Sequence, residues 1–177
     1  SLSPEDLDQL ITKLKATFDF STVQEFTVEA GRPDSITREK LEVLKKHGVD
    51  RISINPQTMK QDTLRLIGRR HTVEDVVDRF QLAREVGFDN INMDLIIGLP
   101  EEMLEDVQAT MEAVKALAPD SVTVHSLAIK RAARLNTMKE VYKDLKIENT
   151  QEMIDLTARY AREMGLEPYY LYRQKNM

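Results

Sequence analysis

Apolar residues recur along this chain with two alternating periods. Leu7, Leu10, Ile11 and Leu14 share one face of a helix predicted over 4–17. Ser3 is placed to cap it, Pro4 takes the first helical position, and Glu5 and Asp6 suit its positive end. The run 24–30, QEFTVEA, shifts to the two-residue alternation of a strand. A helix over 37–47, capped by Thr37 and closed by His47 and Gly48, leads to a second strand at 51–55, RISIN. A short helix over 59–67 ends at Gly68. Thr72 caps a helix to Val86, with Val73, Val76, Val77, Phe80 and Ala83 inward and Gly87 as its stop.

The run 90–98, NINMDLIIG, is nearly all apolar towards its end, as a strand covered on both faces should be. Leu104, Val107, Met111, Val114 and Leu117 mark the next helix, which Pro119 stops. SVTVHSLA, 121–128, predicts a strand, and the polar, basic stretch 129–149 leaves room for one or two short helices. A helix over 150–164 ends at Gly165, and PYYLY, 168–172, is a last strand. Strands joined by helical crossovers are parallel, with right-handed connections. An open doubly wound sheet and part of a (β/α) barrel both fit this order. No G-x-G-x-x-G follows the first strand, which weakens the dinucleotide-binding version of the open sheet. The expectation is an α/β fold: a partial (β/α) barrel of five parallel strands with outer helices.

Composition narrows the function classes. The 177 residues are 41% apolar, enough for a core, and 31% charged, enough for a wet surface. No run approaches the roughly 18 apolar residues of a membrane span. The first residues, SLSPEDLDQL, show neither the basic nor the apolar part of a signal peptide, so a cytoplasmic location is expected. There is no cysteine, hence no disulfide and no thiolate ligand for zinc or an iron–sulfur cluster within the chain. The three histidines, His47, His71 and His125, are too dispersed for a local metal motif. A net charge of −5 argues against a general nucleic-acid binder.

In a parallel β/α protein, chemistry gathers at the C-terminal strand ends. Those ends carry Glu29, Asn55 and Gln57, Asp94, His125 and Ser126, then Arg173 and Gln174. Basic residues collect in the loops after strands: Arg69, Arg70 and His71; Lys130, Arg131 and Arg134; Arg173 and Lys175. One mouth of the barrel would then be positive and suited to a carboxylate-bearing ligand, because a guanidinium pairs with carboxylates bidentately. Each residue also has a plainer reading. Glu29 can simply face water, Arg69 can be solvated in its turn, and His125 can be a satisfied barrel histidine. Asp94 interrupts an apolar strand, so it must be hydrogen-bonded or lie at the open end.

Taken together, EFTVEAGRP, DRISINPQTMKQDTLRLIGRRH and GFDNINMDLIIGLPEE resemble the radical S-adenosylmethionine (SAM) family of oxygen-independent coproporphyrinogen III oxidases (dehydrogenases). The likeness runs from about residue 5 to the C-terminus. Its most specific parts are R-I-S-I-N-P-Q-x-M, the following L-x-x-I-G-R-x-H, and the strand end D-L-I-I-G-L-P; each alone is weak. The tail PYYLYRQKNM is similar to the branch typical of Gram-positive bacteria.

The resemblance implies a function in porphyrin and haem biosynthesis. Such enzymes oxidatively decarboxylate two propionates of coproporphyrinogen III to vinyls, using a radical that a reduced 4Fe-4S cluster generates from SAM. It also implies site residues. Glu29 matches the position reaching the methionine part of SAM, and Gln57 and Asp94 match the ribose-hydroxyl partners. Arg69 matches the partner of the methionine carboxylate, and Ile96 and Ala128 flank the adenine. Arg131, Arg173 and Lys175 are nominated for the carboxylates of a tetrapyrrole substrate. The family's CxxxCxxC cluster loop and Gly-rich strand end have no counterpart here. Residues 1–177 are therefore expected to form one incomplete radical SAM barrel domain lacking the cluster-binding strands and inactive alone. Self-association through the edge so exposed is a further expectation. Two alternatives stay open: a haem-binding relative of the chaperone type, and a non-catalytic β/α binding module.

Overall fold

The computed structural model describes residues 2–127 and 145–169. Within them, four parallel strands lie in the order β1-β2-β3-β4 with helices around them. The strands are β1 (Thr27–Gly31), β2 (Arg51–Gln57), β3 (Ile91–Ile97) and β4 (Ser121–Ser126). The helices are α1 (Pro4–Thr17), α2 (Arg38–Lys46), α3 (Gln61–Leu66), α4 (Val73–Val86), α5 (Leu104–Leu117) and α6 (Gln151–Glu163). The fifth strand expected over 168–172 falls mostly outside the described residues; Pro168 and Tyr169 are not in a strand.

Local chemistry accounts for the helix ends. The Ser3 hydroxyl accepts from the Asp6 amide at 3.1 Å while the Asp6 carboxylate accepts from the Ser3 amide at 3.3 Å, a reciprocal box that starts α1. Thr72 and Asp75 repeat it at α4, with distances of 3.1 and 2.8 Å. The Thr72 amide's bond to Asp75 lowers that carboxyl's pKa, with burial acting against it. Gly87 ends α4 at φ 101°, where a Cβ would be unfavourable. α5 ends at Leu117, two residues before Pro119; Ala118 between them leaves the right-handed helical region, which a residue preceding proline avoids, and stands at φ 53°.

The chain divides into two compact units, the first comprising 1–56, 70–94 and 119–123, and the second 57–69, 95–118 and 124–177. In the first, α1 packs on α2 and α2 on α4. β1 and β2 pair in parallel from Thr27 opposite Arg51 to Gly31 opposite Ile54, with an irregularity between Glu29 and Gly31. The core here includes Leu41, Ile52, Ile54, Val76, Ile91 and Met93, all nearly inaccessible. In the second unit α5 packs on α6, with Met111, Val114 and Met153 buried. No helix among the described residues is long and apolar enough to cross a membrane.

Candidate functional site

Alternation along the strands sorts side chains into two rows. Ile52 and Ile54 of β2 and Ile91 and Met93 of β3 are fully buried on the apolar side. Ser53 and Asn55, and Asn92 and Asp94, occupy the intervening positions and face the other way. In the first unit these polar side chains form one continuous hydrogen-bonded row. Asn55 Nδ2 donates to Glu29 Oε2 at 3.1 Å, and Ser53 Oγ donates to Asn55 Oδ1 at 2.9 Å. Asn92 Nδ2 donates to Ser53 Oγ at 2.9 Å and to Asp94 Oδ1 at 2.7 Å. Asn92 Oδ1 accepts from the Ser121 and Thr123 hydroxyls at 3.0 and 3.1 Å. Ser121 in turn accepts from the Arg51 guanidinium at 3.1 Å.

Asn92, 3% exposed, thus uses both donors and both acceptor sites of its amide. Its partners fix which amide atom is oxygen, because only Nδ2 can donate to a carboxylate. The row ends in two carboxylates held at separate points, Glu29 exposed and Asp94 half-buried. Two oriented acceptors on a polar wall suit a ligand that presents hydroxyl or ammonium donors.

The second unit holds a different cluster. Gln57 closes β2 with a positive φ of 73° and is 8% exposed. Next to it Thr58 donates its hydroxyl proton to Glu102 Oε1 at 2.6 Å and lies 3.3 Å from the Thr110 hydroxyl. Glu102 is only 2% exposed. Burial pushes its pKa up; the Thr58 and Thr63 hydroxyls pull down, Asp106 adds to the rise, and Lys60 weakly opposes it. The neighbouring Glu101 clamps a distant segment: its amide donates to Lys146 O at 2.8 Å and its carboxylate accepts from the Lys146 amide at 2.7 Å. Lys60 Nζ donates to the Glu101 carbonyl at 2.8 Å and pairs with Asp106 at 3.0 Å.

Of the residues expected from sequence, Glu29 and Asp94 are brought onto one hydrogen-bonded row in the first unit. Gln57, Arg69 and Ile96 belong to the second: Gln57 at the end of β2, Arg69 in the turn after α3, Ile96 half-buried near the end of β3. Ala128, Arg131, Arg173 and Lys175 lie outside the described residues. Sequence reasoning missed Asn92, Ser53 and Glu102. The first two had a visible signal, since they sit two positions before Asp94 and Asn55 and so share their face. Glu102 had none, because an acidic residue before a helix ordinarily faces water.

The donor set fits part of what the resemblance implies. The Asp94 carboxylate, oriented by Asn92, suits a ribose hydroxyl, and a guanidinium such as that of Arg69 suits a carboxylate. The chain contains no cysteine, so its own residues do not fit a thiolate-held cluster. Among the described residues no group of three or more histidine or acidic side chains is placed to hold a metal.

The family model of the Radical SAM superfamily matches residues 2–114. The oxygen-independent coproporphyrinogen-III oxidase-like protein HemZ of Bacillus subtilis (strain 168) is 46% identical over 178 residues, which is 100% of this chain and 36% of that protein. The heme chaperone HemW of the same organism is 39% identical over 131 residues, 73% of this chain and 34% of its own length. Among solved structures, the Escherichia coli coproporphyrinogen III oxidase HemN, described as a radical SAM enzyme, aligns with a TM-score of 0.75 at 26% identity. That alignment covers 93% of this chain and 37% of HemN. The chain spans about a third of the length of these relatives.

Proposed function

Because the chain belongs to the radical SAM superfamily, we propose that its strand ends hold SAM and that the whole protein is a coproporphyrinogen III oxidase acting on tetrapyrrole propionates. The observation that carries this reading is the row in which Asn92 orients Asp94 at 2.7 Å and Glu29 is held through Asn55. In this reading Asp94 and Gln57 accept hydrogen bonds from the ribose hydroxyls and Glu29 faces the methionine part. Arg69 pairs with the methionine carboxylate, and Ile96 and Ala128 wall the adenine. Arg131, Arg173 and Lys175 take the substrate carboxylates. Bound SAM, with a 4Fe-4S cluster whose ligands this chain does not supply, would provide the hydrogen-abstracting chemistry. The residues here bind and orient; none is assigned a proton-transfer step.

Calorimetric titration of the full-length gene product with SAM tests the site. Arg69→Ala should weaken binding by about 1.5–3 kcal/mol, the size of a hydrogen bond to a charged group, or roughly 10–150-fold. Unchanged affinity would remove Arg69 from the site. A second reading, haem handling without oxidation, is favoured by the 39% identity to the heme chaperone HemW. An anaerobic assay separates the two. Conversion of coproporphyrinogen III to vinyl products supports the oxidase; stoichiometric haem binding without conversion supports the chaperone.

A further inference from the structure

Gln57 occupies the left-handed backbone region, at φ 73°, although it carries a Cβ. Such conformations persist only where neighbouring interactions over-determine them, and they collect at functional sites. The neighbours here are specific. The Thr58 hydroxyl, 1% exposed, accepts from the Lys60 amide at 3.1 Å while donating to Glu102. The Thr110 hydroxyl accepts from the Met59 amide at 3.2 Å. Two successive amides after Gln57 are therefore held by two buried hydroxyls, and Glu102 sets the direction of one of them.

We propose that Glu102 is a positioning residue for Gln57: through Thr58 it locks the turn that presents the Gln57 side chain to the ligand. The proposal rests on the reading of Gln57 as a ribose contact. An acidic side chain before a helix would ordinarily reach water, yet Glu102 lies against a void of about 10 Å³ that Leu95, Val107 and Met111 also line. Burying a carboxyl there is costly without a partner, and the short Thr58 bond supplies one. The acid supplies what an apolar residue of the same size would not: an oxygen that fixes the Thr58 hydroxyl rotor. With the rotor fixed, the oxygen of Thr58 points its lone pair at the Lys60 amide and the turn has one conformation.

The test combines SAM titration of the full-length gene product with amide hydrogen exchange at Met59 and Lys60. Gln57→Ala should lower SAM affinity about tenfold, the loss of one good hydrogen bond. Glu102→Leu should lower it by a similar factor and speed exchange at both amides at least about tenfold. Glu102→Gln, which keeps an oxygen for Thr58, should stay within about twofold of wild type. The double variant Gln57→Ala/Glu102→Leu should bind no more weakly than Gln57→Ala alone, a coupling that general loosening would not produce. If Glu102→Leu does not fold, Thr58→Val removes the same link and should give the same pattern. Additive losses, or exchange rates that do not change, overturn the positioning role alone. Unchanged affinity in Gln57→Ala overturns the ribose reading on which it rests.

Discussion

Replacing Asn92 by leucine keeps the branching and heavy-atom count of the side chain, adds some bulk, and removes every hydrogen bond of the polar row's central amide. Four bonds go: one to the Asp94 carboxylate at 2.7 Å, one to Ser53, and one each from Ser121 and Thr123. The bond to the carboxylate is charge-assisted and contributes about 1.5–3 kcal/mol; each neutral one contributes about 0.5–1.5 kcal/mol. Ser121, Thr123 and Asp94 are half-buried and recover part of this from water. The leucine itself returns about 2 kcal/mol as an apolar side chain at a site only 3% exposed. A net loss of about 2–4 kcal/mol follows, or a Tm lower by roughly 5–15 °C for a chain of this size. Urea unfolding monitored by circular dichroism measures it. Asn92→Asp supplies a control that separates hydrogen bonding from shape. It sets a second carboxyl where Nδ2 now donates to Asp94, so its destabilisation should deepen as pH rises and the introduced acid ionises. A loss below about 1 kcal/mol for the leucine, or an aspartate variant insensitive to pH, would refute the account of Asn92 as the hub of the row.

Glu102 gives a pH signature. Its pKa is raised in the folded chain, so its contribution to stability is full below the unfolded value and lost as pH rises through the folded one. Glu102→Gln cannot titrate, and thermal melts should show it gaining on wild type as pH increases above the usual carboxylate range; a gap that stays constant with pH would contradict this. Gly98→Ala should cost about 2–4 kcal/mol in urea unfolding, from a left-handed φ of 77° and a new Cβ only 2.9 Å from the Asn149 Cβ; a neutral result would mean that the segment around Asn149 moves aside freely.

Helix boundaries were legible because caps and stops are short-range chemistry. Ser3 with Asp6, Thr72 with Asp75, and Gly87 each act within four residues, and each sits where the sequence places it. Strand ends were less legible. β1 begins at Thr27, three residues later than its apolar alternation suggests. β2 continues through Pro56 to Gln57, although proline reads as a stop. Its pairing with β1 ends at Ile54, so on that side the missing amide hydrogen of Pro56 has no ladder position to fill. The candidate site was half legible. Asp94 announced itself as a carboxylate inside an apolar run. Asn92, in the same strand and two positions earlier on the same face, carries more of the hydrogen bonding; that shared face was its one signal in the sequence. Glu102 could be found only from tertiary structure, since its burial depends on Thr58 and Thr110, 44 and 8 positions away in sequence.

The two-faced character of β3 also bears on how faithfully the chain folds. Its Ile91 and Met93 belong on the apolar side, and Asn92 and Asp94 belong on the hydrogen-bonded polar side. Slippage by one residue during strand pairing would exchange the two sets in a single step. The misaligned chain would bring a carboxylate under the helices and turn isoleucine and methionine outward, a penalty of several kcal/mol collected at once. Residues that form the hydrogen-bonded row in the finished protein therefore also proofread it during assembly. Replacing Asn92 and Asp94 together with apolar side chains would erase that check, and the product to look for is a heterogeneous, misregistered and aggregation-prone sheet.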